Sequence, residues 1–181
     1  QAEVEACGGI HDTQATRDVL VYALSASPRQ LERAVQLLTD VALRPRVTDA
    51  EMAAARAALL SEWDALEHNP LVEPLMQDLI HAAAYRSNSL GLARLCQPAQ
   101  AARLTRADVL RWLAAHHQPE RMVLAAVGVS HDALVAAAER ALDAGPTSWP
   151  EQTPPAVAAD DFTAQYTGGQ ELLERDFSHM P

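Results

Sequence analysis

The sequence predicts an α+β domain. Three observations carry that expectation. Two strand-like runs stand together near the N-terminus, several amphipathic helical stretches follow, and only then come one further strand-like run and one further helix. An alternating βαβ chain would interleave its strands and helices, and this order does not. Composition agrees, since 49% of the 181 residues are hydrophobic but only 4% aromatic, in an alanine-rich chain. The length suits one domain and the start of another, with enough apolar residues to bury a core.

Residues 7–14 and 17–26 read as two strands joined by a short polar hairpin segment, residues 13–17. In the second strand Val19, Val21 and Ala23 alternate with Leu20, Tyr22 and Leu24. Both faces are apolar, so the strand is expected to be covered on both sides. Ser27 and Pro28 then open a helix, serine as an N-cap and proline at the first helical position. Leu31, Val35, Leu38 and Val41 form its buried stripe, and Pro45 ends it.

Thr48 and Glu51 have the spacing of a capping box. The helix they open runs to about Leu66, with Met52, Leu59, Leu60, Trp63 and Leu66 as apolar positions. Asn69-Pro70 breaks the chain, and a third helix follows with Leu75, Leu79 and Ala83 on one side. Thr105 caps a fourth helix, which carries Val109, Leu110 and Leu113 and ends at His116 and His117. Residues 122–129 have the composition of a buried strand. Ser130 caps a fifth helix with the stripe Leu134, Val135, Ala138 and Leu142. From 145 to 161 the periodicity stops, and Pro146, Pro150, Pro154 and Pro155 mark a linker or surface loop. Residues 165–167 read as the start of another strand. There is no solenoid repeat. The expected division is a domain over 1–144, a linker over 145–164 and the start of a second domain over 165–181. Gln1 opens the chain in place of Met, and the last residues begin an element that stops, so both ends are expected to be cut.

The formal net charge is -10 with histidine neutral. That argues against nucleic acid, whose phosphates favour a basic surface, and permits a basic partner. Acidity also simply keeps a protein soluble. Cys7 and Cys96 have neither metal-ligand spacing nor the numbers of a disulfide framework, which fits a reducing compartment. No apolar run is long enough for a transmembrane segment.

Seven histidines invite a search for metal ligands. A helical zinc site places two histidines four residues apart on one face. Neither His-x-x-x-His nor His-x-x-Glu-His occurs. His116 and His117 point to different sides of a helix and fit a role at its terminus. His11, His81 and His131 stand alone. Glu62, beside Trp63, has the chemistry of a metal ligand or general base, but the residues alone favour a place on the polar helix face, since half of any amphipathic helix is polar. No nucleophile elbow, P-loop or dinucleotide fingerprint is present. Gly8-Gly9 and Gly168-Gly169 are turn glycines.

Glu5-x-x-Gly8-Gly9, with Thr16-Arg17-Asp18 and Tyr22, resembles the hairpin that follows the zinc motif in the pitrilysin-type (M16) zinc peptidases. The segments Leu43-Arg-Pro-Arg-Val-Thr-Asp49, His81-Ala-Ala-Ala-Tyr85 and Pro119 through Val129 carry the resemblance along the chain. Gln165-Tyr-Thr-Gly-Gly169 and Leu173-Glu-Arg-Asp176 look like the alpha-type, non-catalytic subunits of heterodimeric mitochondrial processing peptidases.

The resemblance implies an antiparallel sheet with helices packed on one face, incomplete here because the opening strand and the helix with the zinc motif are missing. It places Glu62 where active members have their third zinc ligand. Those members carry a second acidic residue seven positions earlier, where this chain has Ala55. Seven residues are nearly two helical turns, about 10.5 Å along one face. Half of the carboxylate pair is therefore lost. Continuation through Asn69-Pro70-Leu71, where catalytic subunits look shorter, is another alpha-like trait. The resemblance implies no catalytic residue and no metal ligand in this chain, with Glu62 vestigial. It places zinc in the catalytic beta subunit as partner, in the mitochondrial matrix, and basic amphipathic presequence peptides as the substrate. Two other family members, a structural core protein of the respiratory bc1 complex and an active zinc peptidase using Glu62, remain as alternatives.

Overall fold

Gly8 shows how the chain turns from its first element into its second. The computed structural model describes residues 2–68, 73–86, 88–149 and 164–174. Helix α1, Ala2–Ala6, ends on Gly8 in the left-handed conformation (φ 61°). There Gly8 N–H donates to Glu5 O and Gly9 N–H to Val4 O, both at 2.9 Å, which is the Schellman closure. A Cβ on Gly9 would lie 2.9 Å from Ser25 O, so the glycine pair serves both the helix end and the approach of the next strands. Strand β1, Ile10–Ala15, pairs antiparallel with β2, Leu20–Ser25, in the register Ile10↔Ser25 to Ala15↔Leu20. Thr16 closes the hairpin, accepting at Oγ1 from the N–H groups of Asp18 and Val19.

The hairpin matches the expectation in kind and differs in extent. Residues 7–9 belong to the helix closure, so β1 starts later. Double-sided coverage of the second strand is not found. In β2 only Tyr22 and Leu24 are half-buried, and β1 is exposed throughout. A strand buried on both faces needs a layer on each. Here helix α2, Leu31–Leu43, packs on β2, and Val21, Ala23 and Ser25 on the opposite face stay exposed.

The chain divides into two compact units, Gln1–Thr48 with Thr105–Val157 and Asp49–Leu104 with Ala158–Pro181. In the first, a 3-10 turn at Pro28–Gln30 precedes α2, and Ser27 makes no side-chain cap bond. The α-helix therefore begins three residues after Pro28. Of the expected stripe Val35 is buried, Leu31 and Leu38 are half-buried and Val41 is exposed, while Leu43, outside the stripe, is buried. The region's later helices are α6, Arg106–His116, and α7, His131–Asp143. Thr105 and Asp108 cap α6 reciprocally, and Ser130 Oγ accepts from Ala133 N–H at the start of α7. Two buried clusters result. Leu43, Leu110, Leu113 and Trp149 form one, and Val35, Ala137 and Ala141 form the other. Two alanines four residues apart give α7 a flat stripe on which α2 can lie. Val135 and Leu142, expected in that stripe, are exposed. Arg44 crosses from α2 to the end of α7, donating to Ala141 O at 2.7 Å and Gly145 O at 3.1 Å.

Residues 122–129 do not form the expected strand. Every residue from Arg121 to Gly128 is exposed, with Val123 at 93% and Val127 at 100%. Composition states what a segment can do, but a strand exists only where its backbone groups meet a partner. Among the described residues β1 and β2 pair only with each other.

The second unit holds α3, Asp49–His68, α4, Glu73–Ala84, and the short α5, Pro98–Ala101. Helix α3 runs two residues beyond the expected end. The Asn69-Pro70 break and residues 150–163 of the expected linker lie outside the described residues. A turn at Ser89–Gly91 folds back on the end of α4, where a Cβ on Gly91 would fall 2.2 Å from Tyr85 O. Residues 165–167 form no strand. They dock on α4 instead, with Thr167 N–H donating to Ala84 O at 2.8 Å. Among the described residues no helix is long and apolar enough to cross a membrane.

Candidate functional site

Both residues singled out by the resemblance lie on α3. Ala55 and Glu62 are helical, exposed, and separated by nearly two turns, so they share one face about 10.5 Å apart along the axis. The helix is fixed by two polar anchors. Arg56 donates from Nε to Ala101 O at 3.1 Å and from Nη2 to Leu104 O at 2.6 Å. Trp63, the neighbour of Glu62, donates from its indole N–H to Cys96 O at 2.8 Å.

The face offers little to a metal. Zinc takes four ligands, and at this position the chain supplies one carboxylate. The Ala55 methyl has no lone pair to offer. Among the described residues no group of three histidine, cysteine, aspartate or glutamate side chains lies close enough to hold an ion. Of the two positions, Glu62 alone carries side-chain oxygens, and Ala55 offers none.

The histidines are dispersed. His81 Nδ1 lies 2.7 Å from Gln77 O within its own helix, and its ring is 6.1 Å from that of Tyr85. His11 lies on the exposed strand β1 and His131 at the start of α7. His116 and His117 do sit at the end of α6. His116 lies against Trp112, with ring centroids 4.8 Å apart. Burial, then the positive charge of Arg121 and the neighbouring His117, hold its pKa below the ordinary 6.5. His117 is buried, with Nδ1 2.9 Å from Ala42 O on α2. The rings of Tyr22, Trp112 and Trp149 stand edge-on around it at 5.5–6.3 Å. Tyr22 is half-buried there, and that burial raises its phenol pKa above 10.0. This cluster was not visible in the sequence, because its aromatic members lie far apart along the chain and share no local pattern.

Residues 1–98 match the family model for insulinase, peptidase family M16, and residues 103–177 match the model for the M16 inactive domain. The chain belongs to peptidase family M16. Within that family it is similar to the human mitochondrial-processing peptidase subunit alpha, at 42% identity over 98% of this chain and 33% of the relative. The human mitochondrial-processing peptidase subunit beta is 31% identical over 75% of this chain and 27% of the relative. Human cytochrome b-c1 complex subunit 1 is 29% identical over 99% of this chain and 37% of the relative. The chain spans about a third of the length of the curated relatives it matches. A crystal structure of a protease from Helicobacter pylori shares the fold, with a TM-score of 0.70 at 15% identity over 84% of this chain and 37% of that one.

Proposed function

We propose that this chain is part of the non-catalytic, substrate-recognition subunit of a heterodimeric mitochondrial processing peptidase. The similarity to the alpha subunit carries the reading, at 42% identity over nearly the whole chain against 31% over three quarters of it for the beta subunit. Ala55 supports it from the chemistry, since a face with one carboxylate cannot assemble the active-site pair. In this reading Glu62 is vestigial, the catalytic zinc is held by the beta subunit, and the pair works in the mitochondrial matrix. Residues 1–144 are most of a first peptidase-like domain, and 165–181 begin a second. The substrate is a presequence, basic and amphipathic. A subunit with a net charge of -10 over this stretch draws such a peptide by long-range attraction.

The test uses the full-length gene product. Alone it cleaves no presequence, and adding the beta subunit produces cleavage. Zinc-dependent cleavage by this subunit alone would overturn the proposal and return Glu62 to the metal. Failure to pair with the beta subunit, together with co-purification with a respiratory complex, would favour the core-protein role that the similarity to cytochrome b-c1 complex subunit 1 supports.

A further inference from the structure

The end of α4 holds a segment that lies some eighty residues further along the chain. A helix leaves its last four carbonyls without partners. At Ala84 that need is met from outside the helix, because Thr167 donates both its N–H, at 2.8 Å, and its Oγ1–H, at 3.1 Å, to Ala84 O. The same hydroxyl accepts from Arg86 N–H at 3.0 Å, so its donor and one acceptor position are both used. Asn88 Nδ2 donates to Gln165 O at 3.2 Å, and Arg86 Nη2 to Gln170 O at 2.7 Å. The Arg86 guanidinium also lies 3.5 Å from Glu171 Oε1. Tyr166 sets its ring edge-on to Tyr85 at 6.2 Å. Gly169 passes so close to the helix that a Cβ there would meet Ala83 O at 2.4 Å.

These contacts discriminate. They ask for an aromatic residue, then a hydroxyl, then glycine where the chain passes Ala83, then a carboxylate for Arg86. They also bury little. Tyr166 remains 77% exposed, and apart from Gly168 the segment is open to solvent. A segment held by directional polar bonds, with few apolar contacts, can leave without unfolding the element it leaves.

We propose that the C-terminal turn of α4, with Arg86 and Asn88, is a peptide-recognition site, and that residues 165–171 fill it as a removable strap. Its partner is an extended segment of the same chemistry, aromatic–hydroxyl–glycine–glycine and then acidic, delivered from another chain. This inference is independent of the peptidase-subunit reading, since it uses only contacts within one unit.

The experiment uses the 181-residue chain and a fluorescein-labelled peptide with the sequence of residues 164–174, read by fluorescence anisotropy. Gly169→Val should expel the strap by its clash with Ala83 O and lower the Kd for the peptide at least about tenfold against the unmodified chain. Adding Arg86→Ala should abolish that gain, and a peptide carrying valine at the Gly169 position should not bind. Equal affinity for the Gly169→Val and unmodified chains, or tight binding that survives Arg86→Ala, would overturn the proposal. If Gly169→Val loses the far-UV circular dichroism of the parent, hydrogen exchange on the unmodified chain decides. Millimolar unlabelled peptide should alter the protection of the amides of α4's last turn and of the strap, and no change there would equally overturn the site.

Discussion

Helix α3 is the longest in the described chain and buries nothing, while two shorter helices anchor the core. Over 20 residues α3 has no buried residue, whereas α2 with 13 and α6 with 11 each bury two. The difference is legible in where the apolar residues fall. On α2 they concentrate in one stripe. On α3, alanines occupy positions all round the helix, and the larger apolar residues Met52, Leu59, Trp63 and Leu66 reach only half-burial. Arg56 and Trp63 hold α3 by hydrogen bonds to backbone carbonyls, which fix position at modest stability. The buried clusters thus draw on one set of helices, and Ala55 and Glu62 lie on another. Changes at Ala55 or Glu62 are therefore cheap for folding.

Truncation tests that contrast most directly. Leu43→Ala should cost about 2–5 kcal/mol, because Leu43 is 3% exposed within a cluster that cannot easily collapse. Leu60→Ala on α3 should stay within about 0.5 kcal/mol, since Leu60 is 53% exposed. Urea denaturation midpoints give both numbers, and similar losses would erase the distinction between the two regions. His117→Ala comes next, at about 1–3 kcal/mol. It strips a buried ring from among Tyr22, Trp112 and Trp149 and leaves Ala42 O without that partner. Glu62→Gln should be smaller still, within about 0.5 kcal/mol. In the heterodimer proposed above it should leave turnover nearly unchanged, and a collapse of kcat with folding intact would show that Glu62 acts in the reaction.

The sequence declared local structure better than it declared partners. Caps were legible because their chemistry is written within four residues, as with Thr105 and Asp108 on α6 and Ser130 on α7. The hairpin was legible from its alternation and its polar turn. Ser27 was a local failure, because Pro28 opens a 3-10 turn and not the α-helix. The strand expectations failed on something distant. Residues 122–129 have strand composition but meet no strand among those described, and Val21 and Ala23 of β2 stay exposed. The segment at 165–167 reads as a strand, yet the Thr167 N–H goes to the end of a helix, which no local pattern could announce. At the candidate site the sequence supplied Glu62 and Ala55 through the resemblance, and the structure added how α3 is anchored. The Gly168-Gly169 pair was the one available signal for the strap, because adjacent glycines mark a place where backbone must come close.

The smallest expected effect is a pH dependence written at the two ends of α6. His116 has a folded-state pKa below its ordinary 6.5, through burial first and then Arg121 and His117. Below 6.5 the unfolded chain therefore takes up a proton more readily than the folded one. The His116 contribution is fully present above 6.5 and is lost as pH falls toward the folded pKa. Asp108 is held below its ordinary 3.8 chiefly by the Thr105 hydroxyl, then by the Thr105 backbone and Arg111. Its contribution is present above 3.8 and lost as pH falls through the lower folded value. Both slopes have the same sign but occupy separate windows. Urea midpoints of the parent should fall as pH drops below 6.5 and again as it drops below 3.8. His116→Gln should remove His116's part of the upper fall, and Asp108→Asn its part of the lower one. A His116→Gln profile with the parent's upper slope would mean that the burial of this ring is not what sets the pH response of the α6 end.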